Sequence, residues 1–346
     1  MQNHELIANS IPQLKVVYLE NASGRESELA IFLQEWYSDS PSIKVRTSGS
    51  TGQPKEIQVE KKFLIASAKM TIKYFDLKEN HTALLCLNTS SIAGKMMIIR
   101  AIVANMTLFV APVSSNPLEL LNVNIDFAAM VPLQAQQILL DTPQKIDLIK
   151  ILLIGGAAIN SSLWEQLSEI PSKSYQSFGM TETYSHIALR IITKNEAPFE
   201  VLEGITIKAD PTLEISAPEL GVQRLKTNDI IELTDPQHFY WKGRADFVIN
   251  SGGVKLHPEQ IEHKLGTLIS QPFFSTGLDD PKWGQKHILC VEGAISINRF
   301  ELENTLDPYE IPKEIYFFKN FHYTHSGKID RNRTLLKLTD ARRQVL

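Results

Sequence analysis

Residues 47–55 read TSGSTGQPK and combine two glycines, a proline, four hydroxyl side chains and a lysine. Glycine and proline interrupt helices and central strands, so this segment is predicted to be a loop. Its backbone N–H groups, hydroxyls and Lys55 can all donate hydrogen bonds to one anion, for which a triphosphate is well suited. A flexible linker has a similar composition, but strand-like residues 43–46 and 57–60 on either side favour a tight loop between two strands. Pro54 before the lysine excludes the spacing of the common NTPase phosphate loop.

A second lysine with a glycine beside it, Lys328 in THSGKIDR, lies near the other end of the chain. Two polar lysine loops so far apart in sequence suggest a nucleotide held between two domains. A chain of 346 residues is also long enough for about two domains.

The bulk composition excludes several classes of protein. A net charge of −4 does not favour nucleic acid as a partner. Cys86 and Cys290 are far apart, have no metal-ligand spacing and lie in apolar runs, which predicts buried, reduced thiols. The N-terminus lacks the features of a signal peptide, and the apolar stretch 96–113 contains Arg100, so no membrane insertion and a cytoplasmic location are expected.

Short apolar strands alternate with helices over the first half of the chain, which predicts an α/β domain with a mostly parallel sheet. The Ser161 hydroxyl is expected to cap a further helix. The expected helices cover 26–37, 61–75, 93–104 and 134–140, and the expected strands cover 83–87, 108–111, 126–131 and 149–154.

The pattern changes after about residue 195. Short strands with turns between them predict an antiparallel β subdomain over about 196–242, which completes a large domain of residues 1–242. A polar hinge is expected at 243–247, followed by a small, mobile α+β domain over 248–346. The strands expected in the subdomain cover 201–208, 212–216, 230–233 and 238–241, and the elements expected after the hinge are strands 247–249, 287–291 and 314–318 with helices 258–265 and 298–305.

Six segments in this order resemble the motifs of the adenylate-forming superfamily, which includes acyl-CoA synthetases, adenylation domains and luciferases. The resemblance covers nearly the whole chain from Val45 onward, and six ordered matches are far more specific than any one. The segments are RTSGSTGQPK (46–55), LLIGGAAI (152–159), SFGMTETYSHIA (177–188), LKTNDIIEL (225–233), WKGRADFVINSGGVKLHPEQIE (241–262) and DPYEIPKEIYFFKNFHYTHSGKIDR (307–331).

Within the superfamily, four stretches resemble the o-succinylbenzoate–CoA ligases of menaquinone biosynthesis: VPLQAQQIL (131–139), GMTETYSHIA (179–188), INSGGVKLHPEQIE (249–262) and SIAGKMMIIRAIVAN (91–105). The resemblance implies a two-step ligase, in which a carboxylic acid first attacks the α-phosphate of ATP and CoA then displaces AMP. It implies ATP, Mg²⁺ and CoA as cofactor and co-substrates.

The resemblance assigns roles in adenylation to named residues. Lys328 would bridge the acid and the α-phosphate, Thr181 would donate to that phosphate, and Glu182 would hold Mg²⁺. Asp229 would accept the ribose hydroxyls, and Arg244 would reach the ribose or a phosphate. The remaining residues expected to bind ATP or AMP are Thr47, Ser48, Gly49, Ser50, Thr51, Gly52, Lys55, Gly155, Gly156, Ala157, Ser177, Phe178, Gly179 and Met180.

For the second step, the resemblance implies that the small domain turns about Asp246, so that Gly252 and Gly253 approach the pantetheine arm of CoA. The acyl pocket is expected to include Gly156 and five further residues. A second carboxylate on the acid would need a cation, for which Lys95 or Arg100 is available, although a solvated lysine or a locally paired arginine would also fit the sequence. The five residues are Ser91, Lys95, Arg100, Ser185 and His186.

Four departures from the family pattern stand out. Only 46 residues precede the phosphate loop, fewer than in the family pattern, so a shortened N-terminal subdomain is expected that either exposes the acyl pocket or leaves a surface for a homodimer. Arg46 replaces a common aromatic residue, Ser91 replaces a histidine or aromatic gate, and Asn228 replaces a glycine. Three alternatives remain: another aryl- or acyl-CoA ligase, an adenylation enzyme that loads a carrier protein, and a non-catalytic relic that only binds nucleotide.

Overall fold

The computed structural model describes residues 14–20, 22–46, 56–295, 297–324 and 329–346. In chain order, the elements up to residue 191 are β1 (Val16–Tyr18), α1 (Arg25–Trp36), β2 (Ser42–Arg46), β3 (Glu56–Glu60), α2 (Lys61–Phe75), β4 (Thr82–Leu85), α3 (Ile92–Val103), β5 (Thr107–Val110), β6 (Ile125–Met130), α4 (Pro132–Asp141), β7 (Ile149–Ile154), α5 (Ser161–Glu169), β8 (Lys173–Gly179) and β9 (His186–Ile191).

The elements after residue 191 are mostly strands. They are β10 (Phe199–Val201), β11 (Thr206–Ala209), β12 (Leu213–Ala217), β13 (Val222–Lys226), β14 (Asp229–Asp235), β15 (His238–Arg244), β16 (Ile249–Ser251), β17 (Val254–Leu256), α6 (Pro258–Leu265), β18 (Phe273–Asp280), β19 (Gly284–Glu292), α7 (Arg299–Thr305), β20 (Glu314–Phe318), α8 (Arg331–Leu335) and β21 (Arg342–Val345).

The main sheet has the strand order β1-β5-β4-β6-β7-β8-β9-β10-β15-β14. The strands from β1 to β8 in this order are parallel to their neighbours, and those from β9 onward are antiparallel. Parallel strands are covered on both faces and therefore need mostly apolar side chains, as the sequences TALL of β4 and IDFAAM of β6 show. The predicted α/β fold with a mostly parallel sheet flanked by helices is confirmed.

The segment expected to form a separate antiparallel subdomain is divided between two sheets. Strands β11, β12 and β13 form a sheet of their own, whereas β10, β14 and β15 extend the main sheet. The reason is the antiparallel pairing of β9 with β10, which returns the chain to the open edge of the main sheet. The expected strand 201–208 is accordingly two strands, β10 and β11, with a turn between them.

Residues 249–346 build a second sheet in the order β17-β16-β19-β20-β21, with β18 on β19. Their apolar side chains form clusters separate from the large core, which lies between residues 29 and 239.

Two local expectations were wrong. Asn160, not Ser161, caps α5, because its side chain accepts from the Leu163 N–H at 2.8 Å. Residues 245–247 form a short 3₁₀ turn, and the strand expected over 247–249 begins at Ile249.

Cys86 and Cys290 are buried free thiols, as predicted. No helix within the described ranges is long and apolar enough to cross a membrane.

Candidate active site

A cavity of about 920 Å³ opens at the carboxyl ends of the parallel strands, where ligands bind in open α/β sheets. Its floor is formed by the ends of β6, β7 and β8, and one side by the start of α3. Side chains from α6 and α8, on the second sheet, also reach it. Those contributions are Glu259, Gln260, Glu262, His263 and Arg331.

Most of the described residues expected to bind nucleotide line this cavity. Two of the glycines are closely packed. A side chain at Gly155 would collide with Ser177 Oγ, and one at Gly179 with the backbone of Ser185. The expected residues that line the cavity are Gly155, Gly156, Ala157, Ser177, Phe178, Gly179, Met180, Thr181, Glu182 and Asp229.

The segment after β8 presents Thr181 and Glu182 to the cavity through a tight turn. Residues 181–183 form one 3₁₀ turn, and Thr183 Oγ1 accepts from the Met180 N–H at 3.1 Å. Tyr184 then adopts a left-handed backbone with φ of 64°, which reverses the chain into β9. The motif over 177–188 is therefore not one continuous loop, because its first three residues belong to β8 and its last three to β9.

Asp229 begins β14 and is only 7% exposed. Its Oδ1 accepts from Trp241 Nε1 at 2.9 Å, and its backbone N–H donates to Thr227 Oγ1 at 3.0 Å. Trp241 also lines the cavity. The carboxylate is therefore held in one orientation at the cavity wall.

Arg100 is 2% exposed and reaches the cavity from α3. Its Nη2 donates to Ser185 Oγ at 2.7 Å, its Nη1 contacts Met97 Sδ at 3.8 Å, and its Nε is without a partner. Among the described residues no carboxylate forms an ion pair with it. Burial lowers the pKa of Arg100 to about 9, so the group stays cationic at neutral pH.

His186 extends the Arg100–Ser185 contact into the protein. Its Nδ1 lies 3.3 Å from Ser185 Oγ and its Nε2 lies 3.2 Å from Thr71 Oγ1. Burial, and then the positive charge of Arg100, lower the pKa of His186 well below its ordinary value. The imidazole is therefore neutral and orients Ser185, a packing role rather than acid–base chemistry.

The structure places the two other residues expected in the acyl pocket outside the cavity lining. Lys95 is 8% exposed, pairs with Glu35 Oε2 at 3.5 Å and lies 5.1 Å from the centre of the Phe32 ring. Ser91 is the N-cap of α3, since its Oγ accepts from the Gly94 N–H at 3.1 Å. Of the five residues, Arg100, Ser185 and His186 line the cavity.

The expected hinge and CoA residues also lie outside the cavity lining. Arg244 forms two bonds of 3.1 Å with Asp246, so its guanidinium is occupied by the neighbouring carboxylate. Gly252 and Gly253 form the two-residue turn between β16 and β17, and their φ values of 60° and 85° are those a type I′ hairpin requires.

Several expected residues lie outside the part of the chain that the structure describes: Thr47, Ser48, Gly49, Ser50, Thr51, Gly52, Lys55 and Lys328. The described neighbours bear on two of these segments. Strands β2 and β3, which precede and follow residues 47–55 in sequence, pair in antiparallel register. Arg331, three residues after Lys328, lines the cavity.

Sequence reasoning assigned no role to many polar and aromatic residues of this wall, and five of them stand out for their contacts. Trp241, Glu259, Gln260 and Glu262 fall inside a segment that was matched as a motif, in which only Arg244, Asp246, Gly252 and Gly253 were assigned roles. Burial raises the pKa of Glu262 to about 7, against the lowering effect of Arg331, whose Nη2 lies 2.8 Å away. Arg190, stacked between the rings of Trp164 and Phe199, carried no motif signal.

A magnesium ion would have to be held largely by its substrate. Within the described residues no three His, Cys, Asp or Glu side chains form a metal-binding group. Glu182 lines the cavity and is the carboxylate expected to hold the ion. One carboxylate together with substrate phosphates is a usual environment for Mg²⁺, so the donor set fits this ion.

The family model described as AMP-binding enzyme matches residues 20–208 of the chain. The 2-succinylbenzoate–CoA ligase of Staphylococcus epidermidis is 28% identical over 83% of this chain and 68% of its own length. A crystal structure of an acyl-CoA synthetase (AMP-forming)/AMP-acid ligase II-like protein from Dyadobacter fermentans is 39% identical, with 89% of this chain and 93% of that chain covered and a TM-score of 0.60.

The o-succinylbenzoate coenzyme A synthetase of Bacillus subtilis, solved with ATP and magnesium, shares the fold with a TM-score of 0.73 at 21% identity, over 84% of this chain and 69% of that chain. The family match covers more than half of the chain, and the similarity to the Dyadobacter protein extends over nearly all of it. The chain is therefore a member of the AMP-binding enzyme family, the adenylate-forming enzymes that its ordered motifs resemble.

Proposed function

We propose that this protein is an AMP-forming acid–CoA ligase whose acid carries a second carboxylate, as 2-succinylbenzoate does. The observation that carries the choice of acid is Arg100, a buried cation at the cavity wall that has no carboxylate partner among the described residues. Burying an isolated charge costs several kcal/mol, and an anion that binds beside the charge offsets part of this cost. The names of the Staphylococcus and Bacillus relatives agree with this acid.

The acid is bound, in this proposal, with one carboxylate at Arg100 and Ser185 and the other free to react. An oxygen of the reacting carboxylate attacks the α-phosphorus, the bond to the β-phosphate breaks, and pyrophosphate leaves. The acid and the triphosphate are both anionic, so cations and hydrogen-bond donors must offset their repulsion. Lys328 and residues 47–55 are proposed to supply these, and Thr181 donates to the α-phosphate.

The nucleotide is proposed to lie along the ends of β7 and β8. Asp229 accepts ribose hydroxyls, and the glycines at 155 and 156 allow the base and the acyl group to approach the backbone. Glu182 would hold Mg²⁺, which neutralises phosphate charge when it is bound.

We propose the domain division expected from the sequence: a large domain of residues 1–242, a hinge at 243–247 and a small domain of 248–346. The separate apolar clusters on either side of the hinge support it. In the second step the small domain turns about Asp246, the CoA sulfur attacks the acyl carbon, and AMP leaves. In that orientation, Gly252 and Gly253 are proposed to let the backbone approach the pantetheine arm of CoA, because they carry no side chain. Arg331 at the cavity wall supports the orientation that brings the Lys328 segment to the nucleotide.

The proposal is tested by acid-dependent exchange of pyrophosphate into ATP, followed by thioester formation with CoA. Exchange should appear with 2-succinylbenzoate and not with benzoate. Lys328→Ala should lower exchange at least tenfold, while preformed acyl-adenylate is still converted to the thioester. Asp246→Pro should leave exchange intact and stop thioester formation. Equal loss of both steps in Lys328→Ala contradicts the role of the lysine, and no exchange with any acid favours a nucleotide-binding relic.

Replacing CoA by a carrier protein in the second step separates the ligase from an enzyme that loads such proteins. A panel of aromatic and aliphatic acids separates 2-succinylbenzoate from other acyl groups. A cytoplasmic location and a homodimer remain predictions of the sequence.

A further inference from the structure

Trp241 faces Asp229 because the pairing of β14 and β15 is irregular beside it. Asp229 pairs with Arg244 and Ile230 with Gly243, but Ile231 pairs with Trp241, so Lys242 is an extra residue. Side chains alternate between the two faces of a sheet, and one extra residue moves the following side chain to the opposite face. The bulge therefore places Trp241 on the face that carries Asp229.

The contact that results is a directed one. Trp241 Nε1 donates to Asp229 Oδ1 at 2.9 Å, at a site where Asp229 is 7% exposed. An indole N–H can only donate a hydrogen bond, so it fixes the carboxylate and cannot itself accept from the hydroxyl groups of a ligand. Among the described residues no group donates to Asp229 Oδ2. One oxygen is thus held and the other remains available to a ligand.

Trp241 also contacts the second sheet's helix. Its backbone carbonyl accepts from Gln260 Nε2 at 3.0 Å, and Gln260 lies on α6 at the wall of the same cavity. The residue that orients Asp229 is therefore fixed on two sides, by β14 and by α6.

We infer that Trp241 is a positioning residue for recognition of the ribose: its N–H sets the rotation of the Asp229 carboxylate so that the two ribose hydroxyls can donate to it. The inference rests on the proposed function, in which Asp229 binds the ribose. It predicts that the indole N–H contributes to discrimination between ATP and its deoxy analogues, not only to stability.

The test measures binding of ATP, 2′-deoxy-ATP and 3′-deoxy-ATP to the full-length protein by calorimetry, so no acid is required. A hydrogen bond to a charged group corresponds to a change in affinity of about tenfold or more. The wild-type protein should bind each deoxy analogue about tenfold more weakly than ATP. In Trp241→Phe, ATP binding should weaken toward that of the analogues, with a ratio below about threefold.

Trp164→Phe is the matched control, because Trp164 Nε1 also donates one hydrogen bond, to the Thr193 carbonyl oxygen at 2.8 Å. It should keep the wild-type ratio. Replacing Trp241 with 3-benzothienylalanine, which exchanges the N–H for sulfur in a ring of the same shape, gives the same test without a change in packing.

The outcomes separate the inference from the proposal beneath it. A wild-type protein that binds ATP and both analogues equally contradicts the ribose role of Asp229. A wild-type protein that discriminates, with variants at Trp241 that keep the full ratio, leaves Asp229 in place and overturns the role of Trp241. A ratio that falls equally in Trp164→Phe also overturns it.

Discussion

Replacing Arg100 with methionine should make the protein more stable and a poorer enzyme. Burial lowers the pKa of Arg100 from its ordinary value to about 9, a change that corresponds to about 5 kcal/mol against holding the cation there. One hydrogen bond to Ser185 Oγ at 2.7 Å offsets about 1.5–3 kcal/mol of this. We therefore expect Arg100→Met to raise the free energy of unfolding by about 2 kcal/mol.

The same substitution removes the cation proposed to bind the second carboxylate of the acid. We expect kcat/KM for 2-succinylbenzoate to fall about 100-fold, the worth of a charge-assisted pair in a buried site. An analogue that lacks the carboxylate bound at Arg100, and keeps the one that reacts with ATP, should be a poor substrate of the wild-type protein. In Arg100→Met, kcat/KM should be almost the same for this analogue and for 2-succinylbenzoate.

The control is Arg25→Met, the same change at another buried arginine. Arg25 is 4% exposed, but it pairs with Glu28 Oε2 at 3.1 Å and donates to the Leu87 carbonyl oxygen at 2.8 Å. Removing it leaves these acceptors without their cation, so this variant should be less stable than the wild type. Urea unfolding and steady-state kinetics measure both effects. An Arg100→Met protein that is less stable and still discriminates between the two acids refutes the reasoning.

Three further outcomes are expected. Burial lowers the pKa of His287 to about 4, below its ordinary 6.5, so the unfolded chain takes up the proton first and stability falls as the pH drops below 6.5. Urea unfolding at pH 7 and pH 5 should show about 2 kcal/mol more loss in the wild type than in His287→Gln, and equal losses contradict the pKa. Gly179→Ala should weaken ATP binding at least tenfold in calorimetry, because its methyl group would collide with the Ser185 carbonyl oxygen and displace the nucleotide loop; unchanged affinity shows that the loop can adjust. Glu35→Gln should lower the melting temperature by a few degrees, because Glu35 pairs with Lys95 and also accepts a hydrogen bond from the Lys44 N–H at 2.8 Å. Adding Lys95→Met to this variant should partly restore the melting temperature, because it removes the unpaired cation. A double variant with no restoration shows that the pair does not act as a unit.

The sequence alone determined the fold class, the order of the motifs and the parts of the cavity wall at the ends of β7 and β8. Residues 152–159 and 177–182 could be placed because glycines and an apolar strand leave few alternative conformations for such segments. Helices α2 and α6 begin and end where the apolar periodicity predicted them. These features depend on neighbours close in sequence, which the sequence shows directly.

The tertiary structure decided which charged side chain reaches the cavity. Lys95 and Arg100 lie on the same helix, and five residues turn a helix by about 140°, so the two point to different sides. The sequence does not show that Glu35 of α1 meets Lys95, or that Ser185 meets Arg100. It also does not show the bulge at Lys242, which turns Trp241 toward Asp229. The partner of a buried polar group comes from a distant part of the chain, and that partner determines whether the group supports the fold or is left for a ligand.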